Sequence, residues 1–396
     1  MIPTTSVPTQ DKAQEQARDG YTQSAGRSVA RFFAFGNMSA VYLFVVLFIV
    51  FALWIPDKFL RPQMWLALID QQSIGGLAAI AVVIPMVTGA INLAIGAQIG
   101  LGAMLTAVFL GPLGLPIGIQ FPLVILVGAA IGAITGILIV YARIDSIIAT
   151  LGVNSLLLGT IQWVSNGGLR VRYADNAPDY KLLSTTPFLG LTIPVWVMII
   201  VALIAWYVLE RTPVGRRMYA VGFNPEGARL SGIKTKRVVI WALVAGGAIA
   251  GLAGALLQAR YVDGDPTIGV SYLLPALTAV FLGSTQFRGG RFNVWGAIVA
   301  LYVLAVGIKG LQLAGSPPYV DDFFYGAALL LAVGLAVIPG SGGRMDAIRR
   351  VMPWSRRRAT AQPAEPSPVA ATLETVEAPL RAEISEHTRP DAEPRD

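Results

Sequence analysis

Few side chains in this sequence are of a kind that does chemistry, and their placement narrows what that chemistry can be. There is no cysteine, and the one histidine is His387, close to the end of the chain. Thiolate metal sites, disulfides and histidine-based catalysis within the apolar body are thereby excluded. No carboxylate pair, metal-ligating cluster or nucleophile–base set interrupts the long apolar stretches, and no P-loop is present to bind ATP. The charged residues Asp70, Asp145 and Lys309 stand at or near the edges of those stretches. Inside them the polar residues are neutral: Asn92, Gln98, Asn154, Ser155 and Gln162. Such groups suit a conduit for an uncharged hydrophilic solute, or they bond helix to helix; residue type leaves both open. An ionisable relay of the kind that drives secondary transport is missing.

A second concentration of chemistry is ERTPVGRRMYAVGFNPEGARLSGIKTKR, Glu210–Arg237, which carries seven Lys/Arg in 28 positions between two apolar segments. Its middle has the punctuation of a short helix. Asn224 can cap, Pro225 fits the first helical position, and Gly232 sits where a left-handed terminator belongs. Arg216, Arg217, Glu226 and Arg229 give it charge, and Ala228, Leu230 and Ile233 a modest apolar side. A hydrophilic helix of two turns hung between apolar segments is a docking surface for something soluble, or a basic loop that fixes topology.

The elements that must hold these residues are legible from composition. Of 396 residues, 55% are apolar and 13% charged, about half the charge of an ordinary soluble protein. No Glu occurs between Glu15 and Glu210. This is an all-α, polytopic membrane bundle, because charge in hydrocarbon is expensive. Apolar segments at 38–55, 73–89, 95–111, 121–141, 146–165, 193–209, 238–259, 272–283, 293–312 and 323–339 give about ten crossings. The segment 272–283, which contains Pro275, is too short for a bilayer of ~30 Å and is expected to be a short or broken helix.

With the N-terminus in the cytoplasm, the loops around Arg143, Glu210–Arg237 and Arg288–Arg291 fall inside, as does the basic stretch Arg344–Arg358. The regions Pro56–Gln72, Gly111–Gln120, Asn166–Thr192, Arg260–Ser271 and Leu313–Asp322 fall outside. The outer loops hold six Lys/Arg against ten in the three inner ones, as the positive-inside rule requires. The net charge of +7 thus reflects topology rather than a nucleic-acid surface. Three regions follow: a polar cytoplasmic segment 1–37, a transmembrane domain 38–340, and a tail 341–396, basic and then acidic. Residues 359–396 hold eight acids and few large apolar side chains, too few to bury a core. Glycines at four-residue spacing, namely Gly96 and Gly100, Gly128, Gly132 and Gly136, and Gly247 and Gly251, are expected to let helix backbones approach closely.

TPVGRRMYAVGFNPEGARLSGI (Thr212–Ile233) closely resembles the cytoplasmic loop of sugar-type permeases of bacterial ATP-binding cassette importers, of which the ribose, xylose and galactose permeases are members. The likeness runs in the same order through GAINLAIGAQIGLGA (Gly89–Ala103), IIATLGVNSLLLG (Ile147–Gly159), Gly246–Gly254 and LGSTQFRGGRFNVWGA (Leu282–Ala297), covering roughly residues 70–340. The resemblance implies an inner-membrane transport subunit, not itself an enzyme, with both termini cytoplasmic and no cofactor or metal of its own. It implies as partners a separate ATPase that binds the ATP, a periplasmic solute-binding protein, and a second permease copy in a homodimer or heterodimer. Membrane lipid surrounds it, and no nucleic acid is involved. By the same resemblance Arg216, Arg217, Asn224, Pro225, Glu226, Arg229, Leu230 and Gly232 belong to the helix that couples to the ATPase. Asn92, Gln98, Asn154 and Ser155 are the corresponding choice for the solute pathway.

The chain departs from the family pattern at Asn92, commonly Asp, at Leu282 and Phe292, usually Gly, and at Lys309, commonly Asn. INLA is shared with branched-chain amino-acid permeases of the wider superfamily. A monosaccharide or similar polar solute is the expected cargo. An amino-acid or nucleoside permease of the same superfamily, or a standalone secondary transporter, is the alternative.

Overall fold

The computed structural model describes residues 39–172, 178–261, 263–286 and 290–337. The expectations made for 1–37, Arg288, Arg344–Arg358 and the acidic tail lie outside these residues. In chain order the helices are α1 (Ser39–Trp54), α2 (Pro62–Val87), α3 (Ile95–Leu110), α4 (Ile117–Val140), α5 (Ser146–Val164), α6 (Ile193–Arg211), α7 (Pro213–Phe223), α8 (Pro225–Leu230), α9 (Thr235–Gln258), α10 (Leu273–Gln286), α11 (Val294–Leu313) and α12 (Tyr319–Val337). Single-turn helices at Pro56–Phe59 and Leu182–Thr185 and two-residue strand pairs fill the connections. Six helices, α2, α4, α5, α6, α9 and α11, are long and apolar enough to cross a membrane, and Tyr42–Trp54, Ile95–Leu110 and Val270–Ser284 are shorter apolar helices. The all-α membrane bundle expected from composition is what the described residues form.

One expectation needs correction, and a second is narrowed. The region Pro56–Gln72, read as a loop, is mostly helical, and α2 starts at Pro62 and runs for 26 residues. Proline fits a first helical position, whose N–H is unsatisfied anyway, and no breaker follows until Pro85. Asp70, Gln71 and Gln72 interrupt the apolar run without interrupting the helix. Arg260 is the reason the carboxylate is tolerated there. Its guanidinium lies 3.1 Å from the Asp70 carboxylate and also donates to the Asp70 carbonyl and to Ser73 Oγ at 2.9 Å. The helix expected over 272–283 is short, as foreseen, but it is not broken. A 3₁₀ turn at Val270–Tyr272 runs into the 14-residue α10, so Pro275 falls in the first turn of the α-helix rather than breaking it.

The core is built on α2, whose residues 73–87 are all buried, and on α9, which packs against α4, α3 and α2. Glycine sets how close α4 and α9 come. A Cβ placed on Gly136 would lie 3.0 Å from Ile240 Cα, and one on Gly251 would lie 2.6 Å from the Val124 carbonyl oxygen. At Gly132 the obstacle is the Leu243 carbonyl, and at Gly128 and Gly247 each is blocked by the other's backbone. The four-residue glycine spacing of α4 thus meets the backbone of α9 directly, at Ile240, Leu243 and Gly247 in turn. The other pair, Gly96 and Gly100, abuts the backbone of Gly269, ahead of the 3₁₀ turn. Gly283 of α10 meets Gly296 of α11 in the same way.

The end of the bundle remote from α7 and α8 is stitched by charge pairs. Val171–Arg172 pairs antiparallel with Asp263–Gly264, with Arg170 3.2 Å from Asp265 and Arg172 4.0 Å from Asp263.

Candidate functional site

Two places gather the polar residues singled out above. The first is the break between α2 and α3. Helix α2 stops two residues after Pro85. Thr88 Oγ1 donates to the Pro85 carbonyl at 2.7 Å, and Gly89 takes φ +86°, a left-handed conformation that glycine adopts at no steric cost. Chain then runs unhelical to Ala94, and Asn92 sits in this stretch, fully buried. Its Oδ1 accepts from the Ala94 N–H at 3.0 Å, and its Nδ2 reaches Gln98 Oε1 at 3.5 Å. Gln98 is 1% exposed, and its Nε2 has no hydrogen-bond partner among the described residues. That is an amide donor buried and unspent, a costly arrangement unless something else binds it.

The break leans on the first turn of α5. Asp145 caps that helix by accepting from the Ile147 N–H at 2.9 Å. Ser146 Oγ accepts from the Ile91 N–H, and Thr150 Oγ1 donates to the Ile91 carbonyl, each at 3.4 Å. Asn154 follows Thr150 by one turn on the same helical face and is half-buried. Ser155 is exposed, with its hydroxyl donating to Leu151 of its own helix at 3.2 Å. The structure therefore joins Asn92 to Gln98, sets Asn154 one turn beyond the contact of Ile91 with α5, and turns Ser155 away.

The second place is the arm formed by α7 and α8. Helix α8 has the punctuation read from the sequence: Asn224 Oδ1 accepts from the Gly227 N–H at 3.1 Å, Pro225 is the first helical residue, and Gly232 takes φ +81°. Ala228 is buried at 6% exposure whereas Leu230, the last helical residue, is 78% exposed. The apolar side foreseen for this helix is thus split, with Ala228 facing the protein and Leu230 facing out. Arg216, Arg217, Asn224, Pro225, Glu226, Arg229 and Gly232 are exposed as well. Glu226 and Arg229 form a 2.5 Å ion pair on this surface. The hydrogen bond from Arg229 holds the Glu226 carboxyl below its usual range and raises Arg229 in turn; at full exposure such a pair adds little stability.

Sequence reasoning missed α7. The signal was Thr212 before Pro213, since Thr212 Oγ1 accepts from the Gly215 N–H at 3.5 Å, and the spacing of Gly215, Met218 and Val221, which are its buried residues. The helix is clamped to the residues before α11. Tyr219 OH donates to the Phe292 carbonyl at 2.7 Å. The Arg291 guanidinium lies 4.9 Å from the Tyr219 ring centre and 5.0 Å from that of Phe223. On its other side Gly222 rests directly on the Val87 carbonyl, where α2 ends. Among the described residues no group of three or more His, Cys, Asp or Glu is placed to hold a metal ion.

Residues 64–333 match the family described as branched-chain amino acid transport system / permease component. The ribose import permease protein of Haemophilus influenzae is 30% identical over 290 residues, 73% of this chain and 89% of that protein. That of Bacillus subtilis is 33% identical over 299 residues, 74% of this chain and 89% of the relative. The autoinducer 2 import system permease protein of Yersinia enterocolitica is 29% identical over 298 residues, 72% and 84% of the two chains. No solved structure matches this chain significantly.

Proposed function

Because this chain belongs to the branched-chain amino acid transport system / permease component family, we propose that it is the membrane-spanning permease subunit of an importer for a monosaccharide or similar polar solute. A separate ATPase drives it, a periplasmic binding protein delivers the solute, and a second permease copy completes the pathway. The observation that carries this reading is Leu230. A large apolar side chain stands 78% exposed at the tip of a hydrophilic two-helix arm, outside the apolar bundle. A lone exposed leucine is ordinary on a protein surface; this one supports docking because it closes a capped helix in a chain of an import-permease family. Arg216, Arg217, Asn224, Pro225, Glu226, Arg229 and Gly232 surround or shape that contact.

The protein is multi-pass in the inner membrane, and the finer topology follows from charge. The stretch Glu210–Arg237, which contains the arm, carries seven Lys/Arg, whereas Arg170, Arg172 and Arg260 at the opposite end are each paired with an aspartate. The arm is therefore cytoplasmic by the positive-inside rule. Ten crossings, made by the six long helices with α1, α3, α10 and α12, put both termini in the cytoplasm. The transport domain is 38–340, and the segments 1–37 and 341–396 lie outside it.

Reconstitution with its cognate ATPase and binding protein tests the function directly. ATP-dependent uptake of ribose or another pentose into proteoliposomes is expected, and no uptake by the chain alone under an ion gradient. Gradient-driven uptake without the ATPase would overturn the reading. Deleting 361–396 leaves that uptake unchanged on this account; a loss of most activity at normal membrane levels would show that the tail takes part.

Asn92, Gln98 and Asn154, with Ser155 beyond them, form the polar lining of the pathway in this proposal. Asn92→Asp separates a wet lining from a sealed amide. The new carboxylate keeps an oxygen for the Ala94 N–H but loses the donor to Gln98. If solute or water reaches the break, the variant accumulates normally and its uptake changes. A carboxylate sealed between helices costs several kcal/mol, so a poorly folded variant would remove Asn92 from the pathway.

A further inference from the structure

On the flank of the bundle, α6 and α9 diverge around a groove of ≈ 960 Å³. Its walls are apolar. Val238, Trp241, Ala245 and Ile249 line it at three- to four-residue spacing along α9, and Val201 and Ala205 face them from α6. Its mouth is cationic: Arg217, Lys234 and Arg237 converge there, all three exposed, and no acidic residue is among the groove's lining. From Lys234 to Ile249 the groove follows α9 for about 22 Å, more than the ~15 Å half-thickness of a bilayer's hydrocarbon core.

We propose that this groove holds an anionic phospholipid, its phosphate at Arg217, Lys234 and Arg237 and an acyl chain laid along α9 toward Ile249. Two features of the groove select this occupant. Apolar walls as deep as a leaflet give a sugar nothing to hydrogen-bond, and three cations at the rim, none in an ion pair among the described residues, favour a negative headgroup over a zwitterionic one. A second copy of this chain packed symmetrically on the same surface would bring its own three cations to the same mouth, a like-charge contact. Trp241, 68% exposed one turn below the cations, is the kind of side chain that sits at headgroup level. Assigning the lipid to the cytoplasmic leaflet rests on the orientation proposed above. Binding itself does not, so its failure would leave the transport reading intact.

The full-length protein, delipidated in maltoside micelles, is titrated with phosphatidylglycerol, phosphatidylcholine or inorganic phosphate. Lipid adducts are read by native mass spectrometry and the unfolding midpoint by differential scanning fluorimetry. Phosphatidylglycerol is expected to bind and raise the midpoint, while phosphatidylcholine and phosphate leave it in place. R217Q/K234Q/R237Q should need about a hundredfold more phosphatidylglycerol, roughly fivefold for each cation removed. Ile249→Trp keeps every cation and fills the deep end, and should also lose the adduct. Equal binding of the two lipids, protection by phosphate alone, or unchanged phosphatidylglycerol affinity in the triple variant would overturn the proposal. Dimers lost in both variants with adducts unchanged would overturn it in favour of a subunit interface.

Discussion

Gly132→Leu should leave little folded protein in the membrane, whereas Gly152→Leu should accumulate as the wild type does. Both residues lie in apolar helices, and by helix propensity alone each change gains about 1 kcal/mol. Packing decides the difference. A Cβ at Gly132 meets the Leu243 carbonyl and comes within 3.0 Å of Val244 Cα, whereas one at Gly152 has nothing within 4 Å. Backbone cannot rotate aside as a side chain can, so α4 and α9 must separate along their length. Overpacking costs about 1–3 kcal/mol where side chains can adjust, and more where they cannot. Close contact between small residues is what holds membrane helices together, since burial from lipid gains nothing further. Detergent-extracted yield and unfolding midpoint of the two variants settle the matter. Equal values would show that α4 and α9 do not depend on this approach.

Leu230→Glu should do the opposite: normal folding, failed coupling. Because Leu230 is 78% exposed, its own chain loses almost nothing when it is replaced. Covering a leucine fully at an interface is worth ~1.5–3 kcal/mol, so its removal should weaken docking of the ATPase by about ten- to a hundredfold. Stimulation of ATP hydrolysis by loaded binding protein in proteoliposomes should fall accordingly. Ala228→Glu is the contrasting variant, since Ala228 is buried against the protein and a charge there should unseat the arm itself. If L230E retained full stimulation, the arm's exposed tip would not be where the ATPase docks.

Local signals explain what could be foreseen. Helix α8 was legible because Asn224, Pro225 and Gly232 each act within one turn, and every one of those roles appears in the structure. The glycines of α4 announced close packing, but nothing in their spacing says that Leu243 and Gly247 are what they meet. The start of α2 was hidden by Asp70, Gln71 and Gln72, which read as loop until Arg260, 190 residues later, is seen to bind that end. Pro275 misled for a related reason: proline breaks a helix only past its first turn, and the 3₁₀ turn at Val270–Tyr272 places it inside that turn. Asn92 was legible as a polar residue in a break, whereas its bonds to Ala94 and Gln98 depend on how that break turns. Helix α7 was marked locally by Thr212, Pro213 and the spacing of Gly215, Met218 and Val221, whereas its hold on Arg291 and Phe292 lies far along the chain.

The seat of Gly222 on the Val87 carbonyl bears on how a power stroke would travel. Force applied at the tip of the arm enters α7, which Arg291 and Tyr219 prevent from swivelling freely. It leaves through a joint of bare backbone, with no compliant side chain between the moving part and the end of α2. Five residues beyond that joint lies Asn92. On the proposed reading, an arm so mounted would act as a stiff crank with little backlash. A displacement at its outer end reaches the polar break as displacement, rather than being absorbed as rotamer changes along the way.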